Sequence, residues 1–474
     1  MTVLQISKSD FLDFRSCAKS WWLKRRKPDV VSWPAPSAFD RMLMKDGYAV
    51  EAEAKRLVAT WPHHAACAFQ REFSAGQLFA RADLVHDHGD GSIDIYEIKG
   101  STSLKSSGGQ DHIDDGGFQL LVAELSGTPV RAVHIVHVNG EYSRQGQIDP
   151  AQLLVIVDVT GEVRARAEAL RAEIEEAVAL LNSDAIDETG CTCRHLGSIA
   201  NRCASFGYFN PDIPETSAHL LPRISKARLA KLDGEGRLAV DRVTEADITA
   251  AQAPVWKALA SGEPVINVQA IRTFLAQLKW PLHFYDYETY ASAVPLADGH
   301  RPQQAMPVQF SLHRLSEDGA VEHFEYLADR PGQQAELIDA LRAACLVEGT
   351  AIAWNKSYEM SCNNKMAKLV PSSAPFLDSL NERTIDLMDP FKSDYVHAGF
   401  EGSISIKKVL PILCPHLRYD KSAVHDGAGA MEAWITMVST SGEERTRLQR
   451  ELKDYCRLDS LAMVEIFNFL RRLH

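Results

Sequence analysis

The stretch LHFYDYETY (282–290) opens an α/β pattern that begins after Pro281. Read as a strand, it points Asp286 and Glu288, two residues apart, to the same face. Outward from it, FSLHRL and VEHFEYLA read as further strands, followed by a helix near 332–346, the strand TAIAW and a closing helix from about 442 to 472. TAIAWNKSYEM ends a strand and starts a helix, and it offers Asn355 and, four residues on, Glu359. RTIDLMDPF offers Asp386 after another short apolar stretch. KDYCRLDSLAM sets Tyr455 and Asp459 at i and i+4, on one face of the last helix.

An acidic set of this kind suits two-metal phosphodiester hydrolysis. Two Mg²⁺ or Mn²⁺ ions roughly 3.5–4 Å apart activate a water and stabilise the leaving oxygen, and oxygen-only ligands suit such hard ions. Asp286, Glu288, Glu359 and Asp459 are the expected metal ligands, with Asn355 and Asp386 in support. Tyr455, one turn before Asp459, is placed to orient the attacking water. The ordered series resembles the three motifs of DnaQ-like, DEDD 3′–5′ exonucleases, and that resemblance implies an RNase H-like fold. The position of Tyr455 matches the tyrosine subclass. One departure is Glu359, where the second motif usually ends in Asp.

A second carboxylate set lies upstream. LFARADLV places Asp83 on one strand, and SIDIYEIKGST places Glu97 and Lys99 on one face of the next. Two carboxylates can hold a metal while an ammonium steadies water or phosphate. This arrangement resembles the PD-(D/E)xK nuclease core in its RecB-like branch. The resemblance implies an upstream acid, matched by Glu72 in QREF, and a helical glutamine, matched by Gln119 in GGFQLLVAE. It also places Glu51 of GYAVE where relatives often carry a metal-binding histidine. RecB-like nucleases of the CRISPR-adaptation type add a four-cysteine iron–sulfur cluster. Cys17 matches its first position, and Cys191, Cys193 and Cys203 cluster later, but Phe209 stands where the last cysteine belongs. A cluster using both Cys191 and Cys193, a structural zinc, and reduced buried thiols all stay open.

At 474 residues the chain calls for two or three domains. The divisions expected are a RecB-like domain with its cysteine segment over 1–215, a helical connector over 216–278 and an exonuclease-like domain over 279–474. In the first of these, FLDFRSCAKSWWLKRR reads as one helix capped upstream by Ser9, a second helix runs from about Ala38 to Thr60, and further helices lie around Phe118–Leu125 and over 164–182. The connector helix RISKARLAKL reads as a solvated basic face rather than a nucleic-acid contact. No Gly-rich phosphate loop of the GxxxxGK[ST] type appears, which excludes an ATP-driven motor on this chain.

With 45% hydrophobic and 24% charged residues, the composition is that of a soluble globular protein, and no run approaches the length of a membrane helix. The N-terminal MTVLQISKSDFLDF carries a lysine and two aspartates where a signal peptide is apolar, so a cytoplasmic location is expected. The net charge of −12 is compatible with nucleic acid held by local basic patches. FYDYETYASAVP, AMPVQFSLH, GSISIKKVLP and YCRLDSLAM together resemble an uncharacterised bacterial family, a domain of unknown function, in which a RecB-like domain precedes a DEDD exonuclease-like one. The expectation is a nuclease acting on nucleic acid, DNA before RNA. The alternatives are an RNA-directed 3′–5′ exonuclease with a binding-only N-terminal domain, and a non-catalytic nucleic-acid-binding scaffold.

Overall fold

The structure is a computed structural model that describes residues 4–107, 111–197, 202–418, 424 and 426–473. It is a mixed α/β protein with two mixed five-stranded sheets and two compact units. The first unit comprises Met1–Arg194, Arg202–Pro211 and Ser292–Gln303; the second holds the rest. Among the described residues no helix is long and apolar enough to cross a membrane.

The first unit runs α1 (Lys8–Ser16), α2 (Ala18–Arg26), α3 (Ala38–Val58), β1 (Cys67–Ala75), β2 (Leu78–Asp87), β3 (Ile93–Lys99), α4 (His112–Leu125), β4 (Val130–Val138), α5 (Pro150–Leu153), β5 (Leu154–Asp158), α6 (Thr160–Leu181) and α7 (Phe206–Phe209). Its strands lie in the order β1-β2-β3-β4-β5, antiparallel except for the parallel pair β3–β4. Ile93, Ile95, Val133 and Ile135 pack with Phe118 of α4 and Leu170 of α6. Leu84, Tyr96 and Val136 pack with Val50, Ala54 and Val58 of α3. A Cβ at Gly116 would meet Val133 Cγ1 at 2.8 Å, and one at Gly117 would meet Leu170 Cδ2 at 2.7 Å. Bare backbone at both positions therefore lets α4 lie close against β4 and α6.

Two expectations for the N-terminal helices are corrected. The expected single helix is two, broken at Cys17, whose backbone is extended (φ −159°, ψ 99°). Its cap is Ser7 rather than Ser9: the Ser7 hydroxyl accepts from Asp10 N–H, and Asp10 accepts from Ser7 N–H in return. α4 begins a turn and a half earlier than expected because Asp111 caps it, accepting from Ile113 and Asp114 N–H.

The second unit runs α8 (Lys226–Gly234), α9 (Ala253–Ser261), β6 (Val265–Ile266), α10 (Val268–Ala276), β7 (Leu282–Tyr290), β8 (Met306–Leu315), β9 (Val321–Leu327), α11 (Gln334–Ala344), β10 (Thr350–Ala353), α12 (Lys356–Leu369), α13 (Ala374–Glu382), β11 (Thr384–Asp386), β12 (Tyr395–Val396), α14 (Ile406–Leu413), α15 (Gly427–Ser439) and α16 (Gly442–Arg471). Its main sheet has the order β11-β10-β7-β8-β9: β7, β8 and β9 form an antiparallel meander, and β10 and β11 run parallel to β7. β7, the stretch quoted first, is thus the central strand.

The segment expected to be a connector carries an apolar core of its own. Leu221, Leu229, Leu232, Val240 and Ala258 are buried together, and Val396 of β12 joins them. β12 pairs with β6, which attaches the segment to the second unit. Two basic residues on α8 are matched by acids, Arg228 with Asp247 at 3.6 Å and Lys231 with Glu235 at 3.8 Å.

Candidate active sites

In the second unit, β7 carries Asp286 and Glu288 into a cleft of about 250 Å³. The same cleft is lined by Glu359 of α12, Tyr455 and Asp459 of α16, and Lys407 of α14. Four carboxylates and the tyrosine are therefore brought together from three elements distant in sequence.

Buried polar groups set the position of each element. Asn355 takes the left-handed conformation (φ 70°) between β10 and α12. The Asp386 carboxylate accepts from the N–H groups of Asn355 (2.9 Å), Lys356 (3.2 Å) and Met388 (3.0 Å). Asp386 thus clamps the start of the helix that bears Glu359, as the first-turn donors of a helix require. Tyr287 donates to Asn363 Oδ1 at 2.8 Å, and Tyr358 and Thr289 share a hydrogen bond of 2.6 Å, tying α12 to β7. α16 is held on β8 by Gln309, which donates to Leu452 O (3.0 Å), and by Ser460, bonded to Ser311 (2.6 Å) and His313 (2.8 Å).

The crowding has electrostatic consequences. Burial, then the neighbouring Asp459 and the other carboxylates, push Asp286 and Glu288 well above the usual carboxylate range. Burial pushes Glu359 up to about 8, with Asp386 adding to the shift. Glu359 Oε2 is buried and has no hydrogen-bond partner among the described residues. Lys407 works in the opposite sense on Asp286 and Glu288. Its ammonium donates to the Tyr455 hydroxyl at 3.0 Å and lies 5.2 Å from that ring's centre. Cys456, fully buried, brings its thiol to 4.0 Å from Asp286 Oδ2. Ligand atoms of Asp286, Glu288 and Cys456 all lie within 4.8 Å of one another.

Lys407 and Cys456 escape the sequence reading. GSISIKKVLP offers two lysines at the start of a short helix with nothing to distinguish either. Cys456 sits beside Tyr455 in sequence, yet i+1 neighbours on a helix point apart, so the adjacency carries no signal.

In the first unit, Glu97 of β3 is almost fully buried and accepts from Lys8 of α1, Lys99 of β3 (2.8 Å) and Gln119 of α4. Lys99 also donates to Asp115 of α4. Asp83 of β2 accepts from the Ile98 N–H at 2.9 Å. Burial opposes ionisation of Glu97, but Lys8 and Lys99 outweigh it and hold the carboxyl well below its usual range. Burial, with Glu97 adding, pushes Asp83 up to about 7 against the pull of Lys8 and Lys99. Burial would lower Lys99, but Glu97 and Asp115 raise it.

Asp83, Glu97 and Lys99 are thus gathered with Gln119, the residue the resemblance implied, and Lys8 and Asp115 are added. Two residues are not gathered. Glu72 is exposed on β1, across from Arg81. Glu51 of α3 pairs with Lys55 (2.8 Å) and accepts from Gln70 (3.4 Å), so its carboxylate is matched away from Glu97. α3 packs on the Tyr96 face of the sheet, and Tyr96 and Glu97 point oppositely from β3.

Three of the four cysteines act on one another's titration: the Cys17 thiol, at the break between α1 and α2, lies close enough to those of Cys203 and Cys193 to shift them. Cys17, helped by Ser205 and Ser20, brings Cys203 down to about 5, and the Cys17 thiol is raised in return. Cys191 is close enough to act electrostatically on Cys193, and it accepts from Asn210 Nδ2 at 3.1 Å. Phe209 is buried against Trp22 and Leu23.

Residues 283–405 match the model of a family described as a domain of unknown function, DUF2779. The match spans Asp286, Glu288, Asn355, Glu359 and Asp386, stops short of Lys407, Tyr455 and Asp459, and carries no nuclease assignment. No curated protein matches the chain.

Proposed function

We propose that the chain is a divalent-metal-dependent nuclease whose second unit is an RNase H-like, 3′–5′ exonuclease-type domain acting on DNA. The observation that carries this is the convergence of Asp286, Glu288, Glu359 and Asp459 with Tyr455 in one cleft. Like charges buried together repel, and a set this dense is costly without a cation. The orphaned Glu359 Oε2 and the raised Asp286 and Glu288 fit a hard cation held by oxygen donors. The strand order supports the fold reading, since it puts the strand bearing the first carboxylate pair at the centre of the sheet.

Asp286, Glu288, Glu359 and Asp459 would hold Mg²⁺ or Mn²⁺, which supplies activation of water and stabilisation of the leaving oxygen. Tyr455 presents its hydroxyl to the cleft, where it orients a water by hydrogen bonding. Lys407 fixes that hydroxyl and adds positive charge to the cleft lining, of the sign that suits phosphate. Asp386 keeps Glu359 in place through the α12 backbone.

For the first unit the proposal is a RecB-like PD-(D/E)xK site built on Asp83, Glu97, Lys99 and Gln119. A second reading, in which this unit only binds nucleic acid, is favoured by one observation: Glu97 is already neutralised by two lysines and capped by Gln119. The test is degradation of end-labelled single- and double-stranded DNA and RNA with Mg²⁺, Mn²⁺ or EDTA. Asp286→Ala combined with Asp459→Ala should remove stepwise 3′-end loss while the chain stays folded. Undiminished 3′-end degradation by that double variant rules the proposal out.

A further inference from the structure

The hairpin between β2 and β3 carries a group of side chains that neither nuclease reading uses. Its sequence is HDHGDGSID, over 86–94. The turn closes with the His88 N–H donating to Ser92 O at 3.1 Å, and Gly89 and Gly91 take positive φ (77° and 91°). His86 and Asp94 are directly paired across the hairpin, which puts both on one face of the sheet, and His88 follows His86 by two residues. Asp94 and Glu97 are three apart on β3, so this face is opposite to the one bearing Glu97.

The side chains converge tightly. One ligand atom from each of His86, His88 and Asp94 lies within 4.8 Å of the others. His88 Nε2 is 2.9 Å and His86 Nδ1 3.7 Å from the same oxygen, Asp94 Oδ2. The His86 ring centre is 4.5 Å from that of His88 and 4.2 Å from that of His63, which follows α3. All three of His86, His88 and Asp94 are partly buried, with side chains 14%, 21% and 13% exposed.

We propose that His86, His88 and Asp94 form a three-donor binding site for a divalent transition metal of the zinc class. The donor set selects the ion: imidazoles with one carboxylate suit Zn²⁺ and its neighbours, whereas Mg²⁺ takes oxygen ligands. Two imidazoles on one carboxylate exceed what a single ion pair employs, and a shared cation accounts for all three groups at once. A metal here would cross-link β2 and β3 beside their hairpin turn.

The test uses the full chain, stripped with chelator and dialysed against Zn²⁺ with Mg²⁺ in large excess to occupy the oxygen-donor sites. Wild-type protein should retain about one zinc more per chain than His86→Asn or Asp94→Asn. Folding of the variants is followed by circular dichroism. Folded variants that hold as much zinc as wild type overturn the site. X-ray absorption at the zinc edge of the wild-type protein serves independently of any variant. Imidazole scattering is the expected result, and a spectrum with sulfur or oxygen neighbours alone overturns the proposal.

Discussion

Glu359 shows at the scale of one residue how burial writes itself into stability. Its carboxyl, pushed up to about 8, favours the protonated form in the folded chain. Stability from that protonation is fully present below the ordinary carboxylate pKa and is lost as pH rises through about 8. In EDTA, Glu359→Gln should therefore melt like wild type at pH 5 and be more stable at pH 9, by about 2 kcal/mol as an order of magnitude. Equal melting temperatures at pH 9 would show that the ionised carboxylate is not a burden there. The pair Lys407 and Tyr455 makes a second prediction. Tyr455→Phe should lower kcat on the order of tenfold, because the metal-ligand set is intact. Lys407→Met should cost at least as much, since it removes the Tyr455 partner and positive charge from the cleft lining together, and Lys407→Arg should recover part of it. Lys407→Met with unchanged kcat and KM would leave the lysine a structural residue. Glu359 and Tyr455 were legible from their spacing. Lys407 was not, because its meaning depends on where α14 packs.

At the scale of elements, the break between α1 and α2 is the instructive case. Nothing in FRSCAKSWW is a helix breaker, yet Cys17 is extended, and its thiol is coupled to those of Cys193 and Cys203. That long-range coupling coincides with the break that local propensity does not supply. Because Cys17, Cys193 and Cys203 are coupled while Cys191 engages Asn210, anaerobically purified protein should be colourless and carry at most about one zinc at this position. Cys17→Ser should lower the melting temperature by several degrees and release that zinc. A brown preparation with about four irons per chain would show instead that Cys191 completes a cluster. The elements that escaped the sequence pattern are informative too. β5, five residues on the sheet edge, carries the mixed burial of a one-sided strand. The 216–278 segment hides its core because its apolar partners include Val396, far along the chain.

For the whole molecule, each unit carries its own carboxylate set, which makes the two sites separable by mutation. Lys99→Ala should remove an activity on single-stranded or flapped DNA that survives in the Asp286→Ala, Asp459→Ala double variant. If that double variant retains no nuclease activity on any substrate with Mg²⁺ or Mn²⁺, the first unit is a binding module, as the neutralised Glu97 favours. Local sequence is enough for the two α/β patterns and for which site residues share a face: Asp286 with Glu288, Glu97 with Lys99, Tyr455 with Asp459. Those follow from periods of 2 and 3.6, which are properties of local backbone geometry. The packed chain is needed to show that Glu51 and Glu72 stand aside, that Lys8, Asp115, Lys407 and Cys456 enter the sites, and that the His63 ring lies beside that of His86. These relations depend on which face each helix packs against and on where a distant segment returns, and periodicity is silent on both.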